Sequence, residues 1–133
     1  RQIQIVEFEK DSKLQIIDEN AFSSSIIEHI SIPKSVEQIQ RLAFTPCQYL
    51  KSVDIPNDSK LQIIEKKAFM YSKITSISYP SHINFVSKFA FEKCMKLQII
   101  EINEYSKEMD IDFNVDNYPQ NMILMVSYKT IIQ

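Results

Sequence analysis

Two histidines, two cysteines and 17 acidic residues are what this chain offers for chemistry. His29 and His82 would have to supply zinc or general-base chemistry. Neither stands at a spacing from Cys, Asp or the other His that would close a tetrahedral metal site, so both read as solvated surface histidines. Cys47 and Cys94 occupy equivalent surroundings, CQYLKSVDI and CMKLQIIEI. A thiol nucleophile needs an activating base beside it, and neither context supplies one. A chain with no glycine cannot build a glycine-rich phosphate loop or a dinucleotide fingerprint. No metal, cofactor or catalytic residue is therefore expected. The carboxylates are more informative, because Glu7, Asp54 and Glu101 return at one position of a repeated pattern.

That pattern belongs to the elements carrying them. KLQII occurs at Lys13–Ile17, Lys60–Ile64 and Lys96–Ile100, and Ala-Phe pairs at Ala21-Phe22, Ala43-Phe44, Ala68-Phe69 and Ala90-Phe91. The pairs are spaced by 22, 25 and 22 residues, a period that signals stacked repeats. Ahead of each pair lies a short apolar-x-x-apolar element: Leu14/Ile17, Val36/Ile39, Leu61/Ile64 and Ile83/Val86. After each pair comes a longer one: Ile27/Ile30/Ile32, Leu50/Val53/Ile55, Ile74/Ile77/Tyr79 and Leu97/Ile100/Ile102, with Ile3/Val6/Phe8 upstream. The first two KLQII copies are short elements and the third is a long one. Asp11–Ile55 and Asp58–Ile102 align without gaps at an offset of 47, so the duplicated unit is a pair of repeats.

Each long element reads as a β-strand whose last two apolar residues point inward, and Pro33, Pro56 and Pro80 end three of them. Copies stack into a parallel sheet, and one repeat buries its apolar face only against its neighbours. The short element is a second strand on the other side. The Ala-Phe segment reads as a single helical or 3-10 turn, with Ala allowing close stacking and Phe filling the interior.

This frame places the chemistry. Glu7, Ser31, Asp54, Ser78 and Glu101 share one outward strand column, and Ile5, His29, Ser52, Ser76 and Ile99 share the next. Acids on alternate strands stand about 10 Å apart, too far to couple as a dyad. Cys47 and Cys94, two repeats apart, are separated by about 9.6 Å, beyond disulfide reach. The outward columns are instead a candidate binding face: Glu7, His29, Ser31, Asp54, Ser78 and Glu101. Hydroxyls and acids with apolar ends suit a polar or basic protein surface.

The bulk properties agree. The 133 residues are one domain's worth, 44% hydrophobic and 24% charged. Net charge is -2 with mixed signs, which gives no nucleic-acid footprint. Apolar runs such as MILMV are far too short for a membrane span. RQIQIVEFE reads as a strand entered partway, so the protein is expected to extend upstream. Asn57-Asp58-Ser59 forms a sequon that matters only in a secretory compartment.

The repeats fall near residues 3–26, 27–49, 50–73, 74–96 and 97–120. The pattern becomes irregular from about residue 105. Tyr105–Tyr118 reads as a degenerate repeat covering the open core, and Leu124 and Val126 of the next strand are expected to face inward.

Ile27–Ile32, Pro33, Val36, Ile39, Ala43-Phe44 and Cys47 resemble the BspA-like leucine-rich repeats, whose pattern is L-x-x-I-x-I-P-x-x-V-x-x-I-G-x-x-A-F-x-x-C. The resemblance covers residues 3–103. It implies a right-handed leucine-rich-repeat solenoid of about five to six repeats, with a parallel β-sheet on one face and short second strands and turns on the other. The family glycine is replaced by Asp18, Gln40, Glu65 and Ser87, which places the turn after the short strand in question. Family members occur on bacterial and protist surfaces and are implicated in adhesion. The resemblance thus implies a non-enzymatic protein-binding module, surface-exposed or secreted, whose partner is a host-matrix protein or another cell surface. An intracellular scaffold built on the same repeats is the alternative.

Overall fold

The computed structural model describes residues 4–105, 108–111, 118–119 and 121–128. Among these, ten strands follow in chain order: β1 (Ile16–Ile17), β2 (His29–Ser31), β3 (Gln38–Ile39), β4 (Ser52–Asp54), β5 (Ile63–Ile64), β6 (Ser76–Tyr79), β7 (Phe85–Val86), β8 (Ile99–Tyr105), β9 (Asp110–Ile111) and β10 (Ile123–Tyr128). All pairings between them are parallel. The short elements form one continuous sheet, β1-β3-β5-β7-β9. The long elements form two sheets, β2-β4 and β6-β8-β10. The chain is a β-solenoid, as the period of the Ala-Phe pairs requires.

Proline sets the length of the long strands. β2, β4 and β6 span three, three and four residues ahead of Pro33, Pro56 and Pro80. Proline brings no ladder donor. In β8 that position is Asn103, and the strand runs on for seven residues. The inward columns are Ile30, Ile32, Val53, Ile77, Tyr79, Ile100 and Ile102, all buried.

The Ala-Phe side is held differently. Phe22 N donates to Ala43 O (2.8 Å), Phe44 N to Ala68 O (2.9 Å) and Phe69 N to Ala90 O (2.9 Å). Alanine permits that backbone approach, and Ala43, Ala68 and Ala90 are fully buried. The rings of Phe22, Phe44, Phe69 and Phe91 stack in series with centroids 5.1, 5.1 and 5.4 Å apart and planes within 7° of parallel. These separations lie in the favourable range for aromatic pairs.

The expected helical or 3-10 turns take the form of linked β-turns here. Ala21 N reaches Asp18 O, Ser23 N reaches Asn20 O and Ser25 N reaches Phe22 O, each at 3.1 Å. Left-handed residues interrupt any helical run: Asn20, Leu42 and Lys67 precede the Ala-Phe pairs, and Ser24, Tyr71 and Lys93 follow them, with φ between 59° and 66°. In the second repeat the corresponding residue is Pro46, joined to Thr45 by a cis peptide bond. The left-handed positions lie two residues beyond Asp18, Gln40 and Glu65, none of which has positive φ. The missing family glycine therefore leaves the turn intact.

Both ends depart from the regular frame. Upstream, Val6 and Phe8 pack on the core, but that segment forms no strand among the described residues; an isolated bridge, Gln4↔Ile27, and a hydrogen bond from Ser25 Oγ to Gln4 Oε1 (3.0 Å) join it to the solenoid. Ile3 lies outside the described residues. Downstream, Met109 and Ile111 are buried and β9 extends the short-strand sheet, so the degenerate repeat keeps its short strand; residues 112–117 lie outside the described part. Leu124 and Val126 keep the inward columns expected of them, paired with Ile100 and Ile102, but β10 is the edge strand of its sheet. Leu124 is 39% exposed there, whereas Val126 packs against the core.

Candidate protein-binding face

The strand register assembles the face. His29 lies opposite Ser52, and Ser31 opposite Asp54. Ser76 lies opposite Ile99, Ser78 opposite Glu101, and Ile123 and Met125 follow opposite Ile99 and Glu101. Because side chains alternate across a strand, these residues project from the side opposite the buried Ile30, Val53, Ile77 and Ile100. His29 Nδ1 bonds Ser52 Oγ at 2.6 Å, and Ser31 Oγ donates to Asp54 Oδ2 at 3.5 Å. Asn103 Nδ2 donates to Ser78 Oγ at 3.2 Å. His29, Ser31, Asp54 and Glu101 are exposed and Ser78 is half-buried.

The ladder is interrupted between β4 and β6. A groove of about 330 Å³ lies there, lined among others by Ser52, Asp54, Ser76, Ser78 and Glu101. Its lining holds two carboxylates and no Lys, Arg or His, so its field favours cations. Ile123 is 56% and Met125 49% exposed, giving the β10 end of the face an apolar margin. The sequence frame carries both residues by the same offset that places Leu124 and Val126.

Glu7 stands apart. No backbone hydrogen bond joins residues 5–9 to β2, and a cleft of about 630 Å³ separates them, with Glu7 on one wall and His29 and Ser31 on the other. Glu7 is exposed and Ile5 is 76% exposed. Five of the six face residues expected from the sequence thus sit on strands β2, β4, β6 and β8, and Glu7 borders them across the cleft.

The candidate nucleophiles are sealed in the turn side. Cys47 and Cys94 are free and buried. Burial pushes each thiol up to about 11, against hydrogen bonds that work the other way. Cys47 Sγ donates to Phe22 O (3.1 Å) and Cys94 Sγ to Phe69 O (2.9 Å), with Ser72 Oγ 3.3 Å from Cys94 Sγ. A neutral, buried thiol is a poor nucleophile. His82 is exposed in the turn after Pro80. Among the described residues, no three His, Cys, Asp or Glu side chains gather as metal ligands, and no helix is long and apolar enough to cross a membrane.

Comparison with known proteins agrees with this architecture. No curated protein matches the sequence. Solved structures do. A leucine rich cell surface protein from Faecalibacterium prausnitzii is 26% identical over 57% of this chain and 20% of its own, with a TM-score of 0.53. The pneumococcal vaccine antigen PcpA is 21% identical over 86% of this chain and 32% of its own, with a TM-score of 0.65. A leucine-rich repeat protein from Bacteroides ovatus is 21% identical over 85% of this chain and 37% of its own, with a TM-score of 0.54. The chain thus spans between a fifth and about two fifths of these proteins. The BspA type leucine rich repeat region matches residues 2–116 in six copies. With the repeat columns in sequence and the parallel coils in space, that match makes the chain a member of the BspA-type leucine-rich repeat family.

Proposed function

We propose that this chain is a non-enzymatic protein-binding module of a surface-exposed or secreted adhesin-like protein, and that its partner is a host-matrix protein or a protein of another cell surface. The observation that carries the reading is the hydroxyl-and-carboxylate face formed by His29, Ser31, Asp54, Ser78 and Glu101, with Glu7 at its border. Within β2-β4 and within β6-β8, parallel strands hold such residues about 4.8 Å apart, which suits an extended partner. Asp54 and Glu101 flank a groove whose lining has no basic side chain, which favours a basic surface. The buried thiols and the isolated histidines support a binding role over catalysis. The F. prausnitzii relative is described as a cell surface protein, which supports the surface assignment.

The test is association kinetics of the chain on immobilised extracellular-matrix proteins. Reversing Asp54→Lys and Glu101→Lys together is expected to slow association by about three- to tenfold and to weaken its salt dependence, since exposed charges act mainly on encounter. Thermal stability should stay unchanged. Binding indifferent to the double reversal and to salt would refute the face.

A further inference from the structure

The cleft beside β2 follows from a hydrogen-bond count. Glu28 O accepts from Lys51 N (2.7 Å) and Ser52 N (3.3 Å), and Ile32 N donates to Asp54 O (2.8 Å). With His29 opposite Ser52 and Ser31 opposite Asp54, residues 28, 30 and 32 turn their main-chain groups toward β4. In a parallel ladder the intervening residues face the other way. The N–H and C=O of His29 and Ser31 therefore point into the cleft of about 630 Å³. No backbone bond reaches them from residues 5–9. Main-chain groups in that state form a template for another strand.

The walls specify what the strand should carry. Glu7, Glu9, Asp11 and Asp58 line the cleft against Lys10 and Lys34, and Lys34 lies 4.0 Å from Asp58. The balance is negative. Ile30 and Ile32, buried at 2% and 1% exposure, with Val6 and Phe8, give the cleft an apolar floor.

We infer that the open edge of β2 is a strand-addition slot, and that its occupant is an extended, basic segment of the protein partner. The inference deepens the strand-face reading and rests on it. Main-chain bonds to His29 and Ser31 hold the segment, apolar side chains at alternate positions meet the floor, and lysine or arginine side chains between them meet Glu7 and Glu9. An acidic segment is rejected by the same carboxylates.

Amide hydrogen exchange by NMR tests this on the whole chain, with the peptide Lys-Val-Lys-Val-Lys as probe and Glu-Val-Glu-Val-Glu as control. In the free protein the Ile32 amide should exchange slowly and the His29 and Ser31 amides fast. The basic peptide should slow both by at least about tenfold at saturation. A version methylated at its backbone nitrogens should not bind. Glu7→Lys with Glu9→Lys should weaken binding by about five- to tenfold, as two exposed ion pairs imply. Slow His29 and Ser31 amides in the free protein would show residues 5–9 already closed on β2 and overturn the slot. Equal binding of the acidic peptide, or protection confined to other strands, would also overturn it. Asp54→Lys with Glu101→Lys should leave the peptide's protection of His29 and Ser31 in place, so the slot and the broader face fail separately.

Discussion

The two sides of this solenoid are built from the same coils and are finished differently. On the Ala-Phe side, four phenylalanine rings stack in series, and the amides of Phe22, Phe44 and Phe69 bond the Ala carbonyl of the next coil. The adjacent short-strand sheet runs unbroken through five strands. On the long-strand side the sheet stops between β4 and β6, and again before residues 5–9. Polar side chains there bond across the strands, His29 to Ser52, Ser31 to Asp54 and Asn103 to Ser78. Where continuity holds the fold, the Ala-Phe pair recurs coil after coil. Where the ladder is broken, side chains and main-chain edges are left for a partner.

Truncation should separate the sides most sharply. Phe44→Ala or Phe69→Ala removes a fully buried ring flanked by rings on both sides and should cost about 3–5 kcal/mol. Phe22→Ala, at the half-buried end of the series, should cost less, and denaturant titration ranks the three. Equal losses would contradict a linear stack. Next in size, Ala68→Leu adds volume where two backbones approach, and about 1–3 kcal/mol should be lost. Ser76→Leu on the exposed strand face should change the unfolding midpoint little.

The thiols give a pH signature of the sealed side. Their folded values near 11 lie above the ordinary 9.0, so the unfolded chain releases those protons first. Stability from this source is complete below pH 9, falls as pH rises from about 9 to about 11, and levels off above. Cys47→Ser with Cys94→Ser, matching Ser25 and Ser72 in that column, should remove this alkaline slope in thermal melts. Native thiols should also resist alkylation until the protein unfolds. The smallest effect concerns the turns. Lys93 is exposed with φ 61°, and Lys93→Gly should add about 0.5–1 kcal/mol by relieving the left-handed backbone.

The sealed side could be read from the sequence because every coil must repeat it. A small residue and a ring are needed at each turn, so Ala-Phe recurs, and Pro33, Pro56 and Pro80 mark strand ends in the same way. The face columns were readable for His29, Ser31, Asp54, Ser78 and Glu101, since strand alternation projects them once the inward residues are known. Glu7 lies off the ladder, across the cleft from β2, because Val6 and Phe8 keep the apolar spacing while the backbone leaves the sheet. β9 was hidden because Met-Asp-Ile replaces apolar-x-x-apolar at residues 109–111. The left-handed turns were hidden because Leu42, Lys67 and Tyr71 adopt them without glycine, where sterics alone predict otherwise.

The direction of the inter-coil hydrogen bonds has a mechanical consequence. They run along the stack, so tension between the two ends loads them in sequence and peels one coil at a time. A coil of 22 to 25 residues yields roughly 75–90 Å of extended chain. A tether of this construction would lengthen in regular steps under load, each step absorbing work before the bond to its partner has to carry the full force.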